Sequence, residues 1–242
     1  MVYRSFERGR SPVNLMFQAI KLDLPDAPEN VALFSSLALV GAIADAEAIN
    51  LPAASKSVIY MMVVGPAGSG KTSTITHAVS RLNRLGLGIK LTHRPSREGL
   101  AKDLADGELV VHIADEVHEI IKAKKTGEYL SGVIELWKMV YDRKLLKYGR
   151  RRKEAEIVVP PDARLIVYAT TTYEDFDDVR NVIDSALMRR FVIVTTSNLI
   201  NMFKESANPI ESQFLWQAAV SYTHLRAHET SLHLVCRLLL EK

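Results

Sequence analysis

A single cysteine, Cys236, in 242 residues leaves nothing for an internal disulfide. The fold must therefore rest on packing and hydrogen bonds, and a reducing compartment, the cytoplasm, is the expected location. The opening residues MVYRSFERGRSPVNL lack the apolar core of a secretory signal. A bilayer-spanning run is missing as well: the longest apolar segment, VALFSSLALVGAIADAEAI, is broken by Ser and Asp, so no membrane partner is expected. Charge of one sign is not in excess. With 31 Lys and Arg against 28 Asp and Glu the chain carries +3, and any affinity for a polyanion must come from a local patch. No internal repeat is visible. What is present, 48% hydrophobic and 24% charged residues, fits one folded domain with a real core, with room for a small appendage.

The order of apolar runs and breakers gives a fold class. Residues 28–48 predict a mostly buried helix, and LPAASKS a short connection. VIYMMVVG has the unbroken apolar character of a central parallel strand. GPAGSGKT follows, then a helix over STITHAVSRLNRLG that stops at Gly86. GIKLTH predicts a second strand, SREGLAKDLADG a helix capped by Ser96, and ELVVHIADE a third strand. A helix over approximately residues 128–142, the strands EIVVP and RLIVYATTT, a helix near 178–188 and the strand FVIVTT complete the series. Strands alternating with helices predict a parallel α/β sheet with right-handed crossovers. The expected organisation is a helical segment over 1–55, an α/β core over 56–197, the start of a helical lid or linker over 198–220, and a distinct tail over 221–242.

Gly65, Pro66, Ala67, Gly68, Ser69, Gly70, Lys71 and Thr72 complete G-x-x-x-x-G-K-[ST], with Ser73 next in line. The pattern arises by chance in roughly one per cent of chains this long, and here it sits between a predicted strand and a helix, the context that confirms it. Glycines let backbone N–H groups curl around phosphate oxygens, and the helix N-terminus adds its dipole. Lys71 is expected to reach the β- and γ-phosphates of ATP, and the Thr72 hydroxyl to ligate Mg²⁺.

Asp115 ends the third strand and is the second expected Mg²⁺ partner; Glu116, next to it, is placed to deprotonate an attacking water. Thr170, Thr171 and Thr172 close the strand RLIVYATTT, where their hydroxyls are expected to reach the γ-phosphate or that water. Arg189 and Arg190 stand between a helix and the last strand, where an arginine can neutralise charge on a transferring phosphoryl group or simply complement a helix dipole. The two readings are evenly matched on residue chemistry.

This order of parts over about residues 58–196 resembles the AAA+ ATPases, and more narrowly the P-loop proteins related to phage and plasmid primase–helicases. The resemblance implies a P-loop NTPase three-layer sheet and assigns Lys71, Thr72, Asp115, Glu116, Thr171, and Arg189 or Arg190 to ATP hydrolysis. It further implies a homo-oligomeric ring with the arginine acting in the neighbouring subunit's site. DEVH, residues 115–118, also looks like a superfamily 2 helicase box, but the remaining length cannot hold the second RecA-like domain such enzymes need.

The segment from Arg143 to Lys153 holds seven basic residues in eleven. In AAA+ helicases related to superfamily 3 a β-hairpin precedes the sensor strand, and LLKYGRRRKEAEIVV stands in the same place. LLKY and EIVV are its candidate arms and Gly149 its turn. Lys147, Arg150, Arg151, Arg152 and Lys153 would then bind DNA phosphates without reading sequence, with Tyr148 stacking on an exposed base. A solvated basic loop is the competing reading. The expected function is an Mg-ATP-hydrolysing AAA+-like motor acting on DNA, as a helicase or mobile-element replication ATPase. The alternative is an ATP-dependent remodeller or switch with a protein partner.

The tail, SYTHLRAHETSLHLVCRLLLEK, resembles translated sequencing-adapter read-through, which implies a native continuation beyond about Val220. An amphipathic helix with Leu232, Val235, Leu238 and Leu239 on one face is the rival. On the first reading His224, His228, His233 and Cys236 are no metal site.

Overall fold

The computed structural model describes residues 11–47, 58–93, 96–118, 131–144, 146–148, 157–182, 185–196 and 208–223. In chain order the elements are α1 (Pro12–Asp23), α2 (Glu29–Glu47), β1 (Tyr60–Val64), α3 (Lys71–Arg84), β2 (Lys90–His93), α4 (Arg97–Ala105), β3 (Leu109–Ala114), α5 (Ser131–Tyr141), β4 (Leu146–Tyr148), β5 (Ile157–Val159), β6 (Arg164–Thr171), α6 (Tyr173–Val182), α7 (Ser185–Met188) and β7 (Phe191–Thr195). Residues 209–223 form a further helix, α8. The local chemistry accounts for most boundaries. Ser11 caps α1 by accepting from the Asn14 N–H at 3.1 Å, with Pro12 in the first turn. Ser96 caps α4 through the Gly99 N–H at 2.8 Å. Gly86, at φ 88°, takes the left-handed position that closes α3, as expected of that glycine.

Five strands form one all-parallel sheet in the order β2-β3-β6-β1-β7. β1 and β3 are buried along their whole length, as strands paired on both sides and covered on both faces must be. The chain steps from β1 to β2 in one direction across the sheet, then from β2 through β3 and β6 to β7 in the other. Crossovers of one hand therefore put α3 on one face and α4, α5 and α6 on the opposite face.

The two cores divide in this way. Met61, Val63, Ile113, Ile166 and Tyr168 pack with α1, α2, α3 and α8. Tyr60, Met62, Val110, Leu165 and Val167 pack with α4, α5 and α6. Alternate residues of each strand enter alternate cores. The N-terminal helices thus share a core with the sheet.

Three features depart from the sequence expectations. The helix near 178–188 is two helices, and α6 begins earlier, at Tyr173. Thr172 starts it by accepting from the Asp175 N–H at 3.2 Å while its hydroxyl donates to the Asp175 carboxylate at 2.8 Å. α1 is a helix of its own ahead of the expected one. α8 runs across the boundary drawn at Val220 as far as residue 223, where the Thr223 hydroxyl donates to the Ala219 carbonyl at 2.7 Å. Residues 224–242, with His224, His228, His233 and Cys236, lie outside the described residues. Among the described residues no helix is long and apolar enough to cross a membrane.

Candidate functional site

β1 is followed by a helix on one face of the sheet and its neighbour β6 by a helix on the other. Their carboxyl ends therefore diverge and leave a crevice, the place where parallel α/β sheets bind ligands. An open cleft of ≈ 470 Å³ lies there, lined by residues 67–73, Asp115, Glu116, His118, Thr170, Thr171, Thr172 and Asp175. Its volume is ample for a nucleotide.

The loop from Gly65 to Gly70 leaves β1 and turns into α3. Gly68 and Gly70 take φ of 74° and 72°, a left-handed backbone that β-carbons resist. Gly65 is required for another reason: a Cβ there would stand 2.5 Å from the Thr196 carbonyl oxygen. The same place is stitched by backbone bonds, from the Gly65 N–H to Thr171 O at 3.1 Å and from the Thr196 N–H to Val64 O at 2.9 Å. The loop is thus fixed to the ends of β6 and β7.

Lys71 opens α3 and folds back over the loop, its ammonium donating to the carbonyls of Gly65 at 2.5 Å and Pro66 at 2.6 Å. Burial holds its pKa below the usual lysine range, and the negative Asp115 opposes that shift. The Thr72 hydroxyl donates to Asp115 Oδ1 at 2.6 Å, and the Thr170 hydroxyl donates to the same oxygen at 2.7 Å. Three residues far apart in the chain thereby meet at one carboxylate. Tyr168, from the interior of β6, donates its hydroxyl to the Lys71 carbonyl at 2.7 Å and pins the first turn of α3.

The residues present fit a phosphate with a hard cation. Ser69 Oγ and Thr171 Oγ1 are buried and have no hydrogen-bond partner, and both residues line the cleft. Such hydroxyls are costly unless an oxygen-rich ligand or water completes them. Thr72 and Asp115 supply the oxygen donors that Mg²⁺ takes. Thr170, beside the expected Thr171, is the strand-end threonine that touches Asp115. Glu116 is exposed and sits at φ 50° in the turn after β3, a conformation unusual for a residue with a side chain.

The two arginines part company. Both precede β7, so they lie at the amino edge of the sheet, opposite the cleft. Arg190 is committed within the chain: it donates to both oxygens of Asp142, at 3.0 and 2.8 Å, and to the Ala186 carbonyl, and it stacks over Tyr141. Arg189 is exposed, and among the described residues its guanidinium makes no hydrogen bond or ion pair.

The expected hairpin has its arms. β4 and β5 pair antiparallel, Leu146 with Val159 and Tyr148 with Ile157, and β5 packs against α4. Lys147 is exposed between them. Gly149, Arg150, Arg151, Arg152 and Lys153 lie outside the described residues. Arg143 leaves the basic patch: at φ 52° it closes α5 in a Schellman turn, with the Lys144 N–H bonded to Met139 O at 3.0 Å. Its guanidinium also reaches Asp45 of α2 at 3.0 Å.

Sequence reasoning missed Tyr168 and Asp175 as residues of the site, met His118 only as the last residue of DEVH, and missed a buried node on the far side of α3. There Asp23 accepts from Trp216 at 3.1 Å and from the Ser212 hydroxyl of α8, and meets His77 at 2.8 Å and Arg81 at 2.9 Å on α3. No protein-family model matches the chain, and no curated protein matches it.

Proposed function

We propose that the chain is an Mg-ATP-hydrolysing AAA+-like P-loop motor module that acts on DNA, as a helicase or a mobile-element replication ATPase. One observation carries the reading: Thr72 and Asp115, 43 positions apart, meet at 2.6 Å beside Lys71, in a cleft where two buried hydroxyls lack partners. A glycine-rich turn serving only as a helix cap has no use for that convergence.

The residues divide the work. Backbone N–H groups of residues 67–72 and the α3 dipole receive the phosphates. Lys71 exchanges its carbonyl partners for β- and γ-phosphate oxygens. Thr72 and Asp115 hold Mg²⁺, which when bound neutralises charge on those oxygens. Glu116 takes the proton of the attacking water as the water oxygen bonds to the γ-phosphorus. The bond from that phosphorus to the β–γ bridging oxygen breaks, releasing ADP and phosphate. Thr171 directs its hydroxyl at the water or the γ-phosphate. Arg189, remote from its own cleft, serves the site of the next subunit in a ring. The hairpin carries Lys147 and Arg150 to Lys153 to the DNA phosphates, with Tyr148 stacking on an exposed base.

The test is ATP turnover with and without single-stranded DNA. Lys71→Ala and Glu116→Gln should each lower it more than about 100-fold, a loss of roughly 3 kcal/mol or more in transition-state stabilisation. Retained hydrolysis by the glutamine variant removes Glu116 from its role. Arg150, Arg151 and Arg152 replaced together by Ala should abolish DNA stimulation and keep the basal rate. Survival of both the stimulation and salt-sensitive DNA binding would remove the hairpin from the DNA contact, and a parent chain that neither binds DNA nor is stimulated by it would reject DNA as the partner in favour of a protein.

A further inference from the structure

His118 and Asp175 both line the cleft and come from different elements. The turn that holds Asp115 and Glu116 leads into Val117, which is buried in the core beneath α5, and His118 follows. Asp175 lies in the first turn of α6, and its carboxylate is fixed by the Thr172 hydroxyl at 2.8 Å. The His118 Nδ1 to Asp175 Oδ2 distance is 3.6 Å, an ion-pair separation too long for a hydrogen bond. His118 Nδ1 is shielded from solvent and has no hydrogen-bond partner. A buried nitrogen aimed at a fixed carboxylate, a few tenths of an ångström out of reach, is completed by a small closure of the turn.

Glu116 lies between these constraints. Its left-handed backbone is one that side chains disfavour, so the surrounding contacts must hold it there. On the amino side Asp115 is held by Thr72 and Thr170. On the carboxyl side the only polar tie toward β6 and α6 among the described residues is His118 with Asp175. We propose that His118 is the positioning residue for Glu116: closing onto Asp175, it fixes the turn so that the Glu116 carboxylate meets the attacking water. Asp175 and Thr172 are the fixed anchor. This rests on the hydrolytic reading of the cleft, and it gives a role to a histidine that the sequence offered only as the last residue of DEVH.

The experiment compares steady-state ATP hydrolysis and nucleotide affinity in His118→Ala, His118→Asn and the same changes in an Asp175→Ala background. Asparagine keeps a donor near the position of Nδ1; alanine does not. The expected result is a 10- to 100-fold fall in kcat for His118→Ala with KM for Mg-ATP and nucleotide Kd within twofold of the parent. His118→Asn should recover most of the rate, and the alanine loss should shrink below threefold once Asp175 is gone. Full turnover by His118→Ala, an asparagine variant as slow as the alanine one, or parallel loss of nucleotide affinity overturns the assignment while leaving the ATPase reading intact. A parent chain that turns over no ATP overturns both.

Discussion

Arg190 is bound on three sides by its own chain, to Asp142, to the Ala186 carbonyl and over the Tyr141 ring, whereas Arg189 beside it is exposed. Arg190→Ala should therefore destabilise the fold by about 1 kcal/mol, a modest figure because the ion pair is partly solvated. Arg189→Ala should leave the urea midpoint unchanged and lower ATP turnover more than tenfold. Mixing Arg189→Ala with Glu116→Gln protein should restore part of the rate, because each ring would then contain sites with both groups intact. No recovery on mixing removes the in-trans role. The local motif residues were legible in the sequence because a glycine-rich loop and an acidic strand end are defined by covalent spacing alone. The choice between Arg189 and Arg190 was not legible, since it turns on Asp142, forty-eight positions away. The same holds for Tyr168, which reads as one more apolar-strand residue until the fold sets its hydroxyl against Lys71.

At the scale of elements, the end of α1 is tied to α3 and α8 through Asp23. Burial alone would raise the pKa of this carboxyl. Hydrogen bonds from His77, Ser212 and Trp216 and the charge of Arg81 outweigh it and lower the pKa to about 2 from 3.8. A depressed carboxyl stabilises the fold fully above its unfolded value, and the contribution disappears as pH falls through the folded value. The node should thus supply about 2 kcal/mol at neutral pH, lost between about pH 4 and pH 2. Asp23→Asn should remove that acid dependence and destabilise by roughly 3 kcal/mol, because Arg81 keeps its charge without the opposite charge of Asp23. Urea titrations at pH 7 and pH 3 measure both; an unchanged pH dependence in the variant would rule the node out. α2, α3, α4 and the sheet strands were legible from apolar runs and caps. α1 was not separated from the expected N-terminal segment, although Ser11 and Pro12 spell a helix start, because its apolar residues gave no pattern strong enough to compel one. The single helix near 178–188 failed because Thr172 reads as the end of the strand, although Thr172 and Asp175 have the spacing of a helix start.

For the whole molecule, parallel strands give the sheet two unlike margins. The carboxyl margin holds the cleft; the amino margin holds Arg189, Arg190 and the approach of the β4–β5 hairpin to β6. If the hairpin binds DNA phosphates, the slope of log affinity against log salt should fall in magnitude by about 2 to 3 when Arg150, Arg151 and Arg152 are replaced by Ala, near one per phosphate lost. An unchanged slope would place the DNA contact elsewhere. The sequence foretold the hairpin by its arms and its position before β6, but not which margin it would occupy, since that follows from the direction in which α5 returns across the sheet.

β6 joins the two margins. It enters from β5 at Arg164 and ends at Thr171, eight residues that reach about 26 Å, hydrogen-bonded to β3 and β1 on either side. Hydrogen bonds on both flanks hold its two ends at a fixed separation. Ligands at its two ends share no ground and cannot displace one another, so DNA should alter the maximal rate of ATP turnover without competing for the nucleotide.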